Sequence, residues 1–464
     1  MADASQLSAH LDSQRQAFDA ERYPTLAVRH DRLKRLGDMT RVHRQDIIKA
    51  IRQDFGYRPE AETRLTDIAR VLQAVRHARR HLKRWMRPCR APVPLRLWPA
   101  RARLYRQPLG TVGIIAPSHS PWSLALLPAV DALAAGNRVM IKPSARSPTT
   151  SALMARLAEH YFSPQELSVI TGDADTGRAF AALPFDHLLF TGSARAGREV
   201  ALAAAANLTP VTLELGGKTP AIVGADADLE QAAERIAFGK WLNAGQTRLA
   251  PDYVLVHEPH LTAFVAALTR VVKRFHPSGT AGDDYSAIVG ESHRERLDAM
   301  LEEARDHGCR VLSLGETVEL SRGAKLPPTL VIDPHGGLTI MREEIFGPWL
   351  PIIGIGDLTN ALAFVQERPR PLAIYAFTND PEQRRRILED THSGGVVFND
   401  TLWHSAVPNL PFGGVGGSGM GEYQGEAGFL RFSYQRSVFL QAKRSSVRLL
   451  NPPYRHWLYR LMGL

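Results

Sequence analysis

Residues 111–144 read TVGIIAPSHSPWSLALLPAVDALAAGNRVMIKPS. A short apolar run, Thr111–Ala116, stops at Pro117. A small-residue segment of helical texture follows and closes on Gly136-Asn137, residues that accept the left-handed backbone where helices stop. A second apolar run, Arg138–Lys142, stops at another proline. The unit is strand–helix–strand with strands apolar on both faces, the pattern of a buried parallel sheet. It continues through LSVITG (167–172) and HLLFTGS (187–193), with helix-like residues between them. The expectation is an α/β fold, an open parallel sheet wound on both faces. After Glu214 the texture repeats in PAIVG (220–224), YVLVH (253–257), the helical LTAFVAALTRVVKRF (261–275), then PIIGI (351–355), IYAFT (374–378) and GGVVFN (394–399). That is a second α/β domain.

Upstream, residues 1–87 read mostly as helices; RLKRLGDMTRVHRQDIIKAIRQDF (32–55) places apolar residues three to four apart. Residues 88–106 (PCRAPVPLRLWPARARLYR) are rich in proline and alternate in part, which suits an extended arm or hairpin. The 464 residues suffice for two or three domains at roughly 150 residues each, and 44% apolar content supports sizeable cores. No apolar run approaches the ~20 residues of a membrane helix, and the polar N-terminus lacks a signal-peptide core. Two cysteines, Cys89 and Cys309, exclude a disulfide scaffold and fit a reducing compartment. The expected location is cytoplasmic.

The net charge is +10, and from Arg76 to Arg106 there are eleven Arg or Lys and no acid. Such a block meets nucleic acid or an anionic membrane, or it is a solvated helix end with an exposed arm. No helix-turn-helix, zinc-finger or RNA-binding signature accompanies it, so no nucleic acid is expected, and no metal site.

In an open parallel sheet, ligands bind beyond the carboxyl ends of the strands. Phe190-Thr-Gly-Ser193 closes one strand, with Gly197 at the start of a helical run whose N–H groups suit a phosphate. It is not a GxGxxG fingerprint. Lys142-Pro-Ser144 ends a second strand with an ammonium and a hydroxyl. Glu214-Leu-Gly-Gly-Lys218 ends a third with a carboxylate beside two glycines. Glu344-Ile-Phe346-Gly-Pro348 and residues 411–419 (PFGGVGGSG) are further glycine turns.

In this order and spacing, IKPS (141–144), FTGS (190–193), LELGGK (213–218), NAGQT (243–247), EEIFGP (343–348) and LPFGGVGGSGMGEYQG (410–425) resemble the aldehyde dehydrogenase superfamily from about residue 20 to 445. LTPVTLELGGK, APDYVLV and FGGVGGSGMG look most like the class of fatty, aromatic and coniferyl aldehyde dehydrogenases. The resemblance implies N-terminal helices of a cofactor domain (1–87), an oligomerisation arm (88–106), a Rossmann-like NAD(P) domain (107–212), a catalytic-type α/β domain (213–400), and a return with an oligomerisation strand and tail (401–464). It implies Lys142 and Ser144 at the adenosine ribose, Gly192 and Ser193 at the pyrophosphate with Gly197 behind them, Glu344 at the nicotinamide ribose, Phe346 beside that ribose and ring, and Glu214 as general base. It also implies a homodimer.

Four positions depart from the pattern: Arg248, His119, and Ser118 and Ser120, which stand where the family has aromatic residues. The family places a nucleophilic cysteine after Gly-Gln-Thr, which forms a thiohemiacetal and then a thioester. Arg248 stands there, and a guanidinium is no nucleophile. The family's oxyanion asparagine, in a Pro-Trp-Asn-Tyr-Pro-like stretch, is replaced by His119 within Pro117-Ser-His-Ser-Pro121. Neither Cys89 nor Cys309 is placed to substitute. Three readings follow: a family member that has lost the usual oxidation and still binds a dinucleotide, a direct hydride-transfer enzyme with His119 as acid and Arg248 holding a carbonyl or carboxylate, or a non-catalytic partner subunit. The small-molecule partner is then an aldehyde or a carboxylate. Many relatives carry a glutamate after Lys-Pro-Ser; Ala145 and Arg146 stand here, which favours NADPH over NADH. A cationic Arg248 near the nicotinamide favours reduced over oxidised cofactor. The tail VRLLNPPYRHWLYRLMGL packs on its own subunit or lies on an anionic membrane.

Overall fold

The computed structural model describes residues 4–445 together with 447, 448, 451–453, 457 and 460. The C-terminal tail considered above lies largely outside these residues. Two sheets dominate. The first has six strands in the order Gly419–Met420, Val211–Glu214, His187–Thr191, Thr111–Ile115, Arg138–Lys142 and Leu167–Val169. All neighbours are parallel except the edge pair Gly419–Met420 with Val211–Glu214. The strand order reverses between Thr111–Ile115 and His187–Thr191, and that crevice is where a doubly wound sheet receives its ligand.

The helix Ser123–Ala135 between the first two strands is buried along nearly its whole length and ends on Gly136 at φ 98°. An L-residue there would be strained, and its Cβ would also meet the Arg29 guanidinium at 2.8 Å. The N-terminal helices Leu26–Val42, Arg44–Phe55 and Ala69–Trp85 pack over this layer, and Leu33, Leu36, Ile51, Val71 and Leu82 are fully buried.

The second sheet has seven strands in the order Arg310–Ser313, Thr329–Ile332, Trp349–Ile355, Tyr253–His257, Pro220–Val223, Ile374–Phe377 and Val396–Phe398. Only the edge strand Arg310–Ser313 runs antiparallel. Val211–Glu214 belongs to the first sheet, so the chain leaves that layer at Leu215–Thr219, a few residues beyond the boundary expected at 212. A third, three-stranded antiparallel sheet joins Cys89–Ala91, Arg101–Pro108 and Ser433–Leu440. Its middle strand runs two residues past the arm limit at 106. Ser433–Leu440 is an edge strand of eight residues, with Tyr434, Phe439 and Leu440 exposed. No described helix is long and apolar enough to cross a membrane.

Candidate active site

The helix Leu229–Trp241 runs into a turn in which Asn243, Ala244 and Gly245 take positive φ (55°, 51° and 77°). Left-handed non-glycine residues cost roughly 1–3 kcal/mol each and persist only where surroundings enforce them. Here the enforcement is explicit. Asn243 Nδ2 donates to the carbonyls of His119 and Gln246 at 3.1 and 2.9 Å, and Gln246 Nε2 donates to those of Asn243 and Ala287 at 3.0 and 2.9 Å. The Asn243 N–H donates to the partly buried Glu62 carboxylate at 3.1 Å. After the turn, Tyr375 Oη donates to the Leu249 carbonyl at 2.6 Å. The backbone of residue 248 is therefore held from both sides, and the loop carrying His119 is tied to it.

Arg248 is 6% exposed and Glu214 fully buried. Arg248 Nη1 donates to Glu214 Oε2 at 3.3 Å and to the Leu215 carbonyl at 3.2 Å. Arg248 Nε and Glu214 Oε1 are buried without a hydrogen-bond partner among the described residues, and Nη2 has no protein acceptor there either. Burial pushes the Glu214 carboxyl up to about 7, against the pull of Arg248. The charge of Arg248 is also felt at Glu344, His119 and Arg70.

His119 is 8% exposed, its ring edge-on to Phe346 with centroids 5.1 Å apart. Burial first, then Arg248 and Arg58, hold its imidazole well below the ordinary range, so it is neutral at physiological pH. Phe346 takes φ 52° in the turn after Glu344. The Glu344 carboxylate lies directly over Gly216, where a Cβ would come within 1.9 Å of Oε2. Burial, then Asp252, pushes Glu344 up to about 8.

At and beyond the carboxyl ends of the strands Arg138–Lys142 and His187–Thr191 stand Lys142, Ser144, Gly192, Ser193 and Gly197. Lys142 is buried, and its Nζ donates to the carbonyls of Pro143 and Gly172, both at 2.9 Å. No carboxylate lies within 4 Å of it among the described residues. Ser144 Oγ accepts from the Arg146 N–H at 3.2 Å, and Arg146 is exposed. Ser193 caps the helix Ala194–Ala205, its Oγ accepting from the Ala196 N–H at 3.3 Å. The backbone at 192 and 197 lies close to its neighbours: added Cβ atoms would meet the Phe190 ring at 2.4 Å and Leu215 Cδ2 at 2.6 Å, so the neighbouring side chain would have to shift in either case.

Arg248 and His119 open onto a cavity of about 190 Å3. Its far walls come from residues the sequence did not single out. Arg70, on the helix Ala69–Trp85, donates to Ser405 Oγ and to the Ser405 carbonyl at 3.2 and 2.6 Å. Arg58 is buried and paired with Asp67 at 3.1 Å. Asp67 in turn accepts from the N–H groups of Trp122 and Ser123 at 3.2 and 3.1 Å, fixing the helix that follows the His119 loop. Phe238, Trp403, Phe412 and Tyr423 supply aromatic surface. Little in the sequence marked either arginine: Arg58 stands in the link between the helices Arg44–Phe55 and Glu60–Thr63, and Arg70 near the start of the helix Ala69–Trp85. Cys89 lies in the arm sheet and Cys309 follows the helix Glu291–Asp306; neither lines the cavity.

Comparison with known proteins agrees with the fold. Residues 1–438 match the model of the aldehyde dehydrogenase family. A probable coniferyl aldehyde dehydrogenase of Pseudomonas aeruginosa is 45% identical over 99% of this chain and 96% of its own. A coniferyl aldehyde dehydrogenase of a Pseudomonas species is 41% identical over 99% and 96%. Among solved structures, the substrate-bound aldehyde dehydrogenase of Staphylococcus aureus superposes with a TM-score of 0.94 at 36% identity, covering 98% of this chain and 99% of that one. The NAD+ complex of an aldehyde dehydrogenase from Bacillus cereus gives 0.85 at 25% identity over 95% and 89%. The α/β fold is thus shared along nearly the whole length, and the chain belongs to the aldehyde dehydrogenase family.

Proposed function

We propose that this chain is a dinucleotide-binding member of its family in which the thioester route of aldehyde oxidation is closed. One observation carries the reading: the position after Gly-Gln-Thr holds a guanidinium, paired at 3.3 Å with the carboxylate expected to serve as base. A step that needs a thiolate has no nucleophile at this position. A step that needs Glu214 to take a proton from water finds one oxygen already engaged by Arg248. The direct-hydride alternative is less well supported, because a neutral, buried His119 offers a developing alkoxide one N–H hydrogen bond and no imidazolium proton.

The residues present fit a dinucleotide. Lys142 is a buried ammonium satisfied only by neutral carbonyls, and the Ala194–Ala205 helix starts beside the crevice where the strand order reverses. Glycines 192 and 197 keep that helix close to the sheet, and Glu344 with Phe346 forms the wall toward Arg248. When bound, the dinucleotide would supply a hydride carrier. Exposed Ala145 and Arg146 beside Lys142 favour a 2′-phosphate and hence NADPH. The Glu214 pairing offsets much of Arg248's charge, so the preference for reduced over oxidised cofactor is small.

The edge strand Ser433–Leu440, with three exposed apolar side chains, supports self-association into a homodimer. Calorimetric titration with NAD, NADH, NADP and NADPH, beside steady-state assays on aromatic and aliphatic aldehydes, tests the reading. Ordinary enzymatic turnover abolished by Glu214→Ala would sink it. Absence of binding by every nucleotide form would leave the partner-subunit reading in its place.

A further inference from the structure

The cavity beside Arg248 carries a charge imbalance that the family's neutral substrate does not call for. Three guanidiniums line it, those of Arg58, Arg70 and Arg248. Arg58 is matched by Asp67 and Arg248 by Glu214. Arg70 has only the hydroxyl and carbonyl of Ser405, and among the described residues no carboxylate lies within 4 Å of it. Burial pulls the Arg70 guanidinium below its ordinary range; Tyr423 and Asp67 act against this, and Arg248 adds a smaller push in the direction of burial. The pair Arg70 and Arg248 thus repel each other across a partly dry space. Arg248 adds the Nε and Nη2 groups that the protein leaves without acceptors. Placing an anion between or beside these groups relieves the repulsion and supplies acceptors to buried donors, which is the arrangement that recognises a carboxylate.

The remaining walls define the rest of the ligand. Phe238 and Trp403 lie with ring planes 6° apart and centroids at 5.8 Å, and Trp403 is 42% exposed at the cavity's edge. Phe412 faces the Arg248 guanidinium at 6.0 Å. An apolar cavity of roughly 150 Å3 accommodates benzene, so about 190 Å3 takes a single aromatic ring with a short chain. We propose that this cavity binds a single-ring aryl monocarboxylate, its carboxylate on Arg70 and Arg248 and its ring among the aromatic side chains. The proposal deepens the reading above, since it rests on Arg248 standing in the substrate position, and it makes the acid rather than the aldehyde the preferred occupant.

The test is calorimetric titration of the full chain, without nucleotide, with cinnamate, cinnamaldehyde and cinnamyl alcohol. Cinnamate is expected to bind at least about tenfold more tightly than either neutral analogue, and to weaken as salt is raised. Arg70→Met is expected to weaken cinnamate about 10- to 100-fold, the range for losing a charge-assisted hydrogen bond, while leaving cinnamaldehyde within a factor of about two. Equal or tighter binding of cinnamaldehyde by the unmodified chain overturns the proposal without recourse to any variant. An Arg70→Met protein that is folded by circular dichroism and keeps full cinnamate affinity also overturns it. Nucleotide binding is read separately: cinnamate failing while NADPH binds removes this inference alone, and cinnamate binding while every nucleotide fails removes the dinucleotide reading alone.

Discussion

Replacing Arg248 by methionine removes the only cation within 4 Å of the Glu214 carboxylate among the described residues. In the parent, burial raises Glu214 from 4.5 to about 7 even with Arg248 beside it. At 3.3 Å and an effective dielectric near 20, the lost attraction is ~5 kcal/mol, equivalent to ~3.7 pH units. The carboxyl in Arg248→Met should therefore titrate near or above ~10. The sign follows from linkage. An acid whose folded pKa is raised contributes fully below its unfolded value and loses that contribution as pH rises. In the parent the loss is about 3 kcal/mol and levels off above pH 7; in Arg248→Met it continues, reaching about 6 kcal/mol by about pH 9. The stability gap between the two proteins should be flat near pH 5 and widen by roughly 2–3 kcal/mol toward pH 9.

Unfolding of a chain with several layers is not assumed to be two-state, so the direct assay is infrared difference spectroscopy of the protonated carboxyl. The band that disappears in Glu214→Gln should persist into alkaline pH in Arg248→Met and vanish near neutrality in the parent. A carboxyl that titrates at the same pH in both proteins would refute the reasoning, because it would mean that Arg248 does not set the ionisation of Glu214.

Other outcomes follow from the same geometry. NADPH should bind more tightly than NADH at matched ionic strength, and Arg146→Ala should remove most of that difference in a calorimetric titration; tighter NADH binding would count against it. Lys142→Ala should weaken every nucleotide about 10-fold or more, the scale of a lost charge-assisted contact, with the aryl acid unaffected. Arg248→Cys combined with His119→Asn should show NAD(P)-dependent oxidation of aromatic aldehydes, while Arg248→Cys alone should be slower by about 100- to 1,000-fold, the scale of one missing oxyanion donor; a folded double variant without turnover would show that more than these two residues closes the route. Gly245→Ala should fail to accumulate as soluble protein, since φ is 77° and the new Cβ would lie 2.1 Å from the Gly347 carbonyl. Light scattering at micromolar concentration should give a dimer mass, and Phe439→Asp on the exposed strand should shift it toward monomer.

Much of the fold was legible because its signals are local. The runs at 111–116 and 138–142, with a helix stopping on Gly136, are fixed by burial on both faces and by one left-handed residue. The turns bearing Lys142, Ser193, Glu214 and Glu344 follow from strand ends, which sequence can mark. The site was legible on the side built from those turns and from the loop at Arg248. It was not legible where helices deliver side chains across long separations. Asp67 reaching the N–H groups of Trp122 and Ser123, or Arg70 reaching Ser405, leaves no periodic trace, because each contact is decided by how the N-terminal helices settle on the sheet. The His119 loop lies between these cases. Its sequence showed the departure, but only packing beside Arg248 and Arg58 makes its imidazole neutral.

Arg248 and His119 form one electrostatic unit. A guanidinium introduced into a buried loop leaves an uncompensated charge unless a carboxylate is already within reach, and removing one partner of such a pair typically costs about 3–5 kcal/mol. Glu214 is that carboxylate, held by strand Val211–Glu214 at the same sheet edge as the cofactor turns. Its engagement by Arg248 makes the arginine tolerable and occupies the base in a single contact. A protonated histidine at 119 would then be a second cation beside Arg248 with no acid to match it, so the imidazole stays neutral and the loop is held by its backbone carbonyl on Asn243 instead. What the unit leaves without an ion-pair partner, among the described residues, is Arg70. The chemistry that this cavity lacks is therefore an anion, and the charge balance that closes the thioester route also sets the expected preference for an acid over its aldehyde.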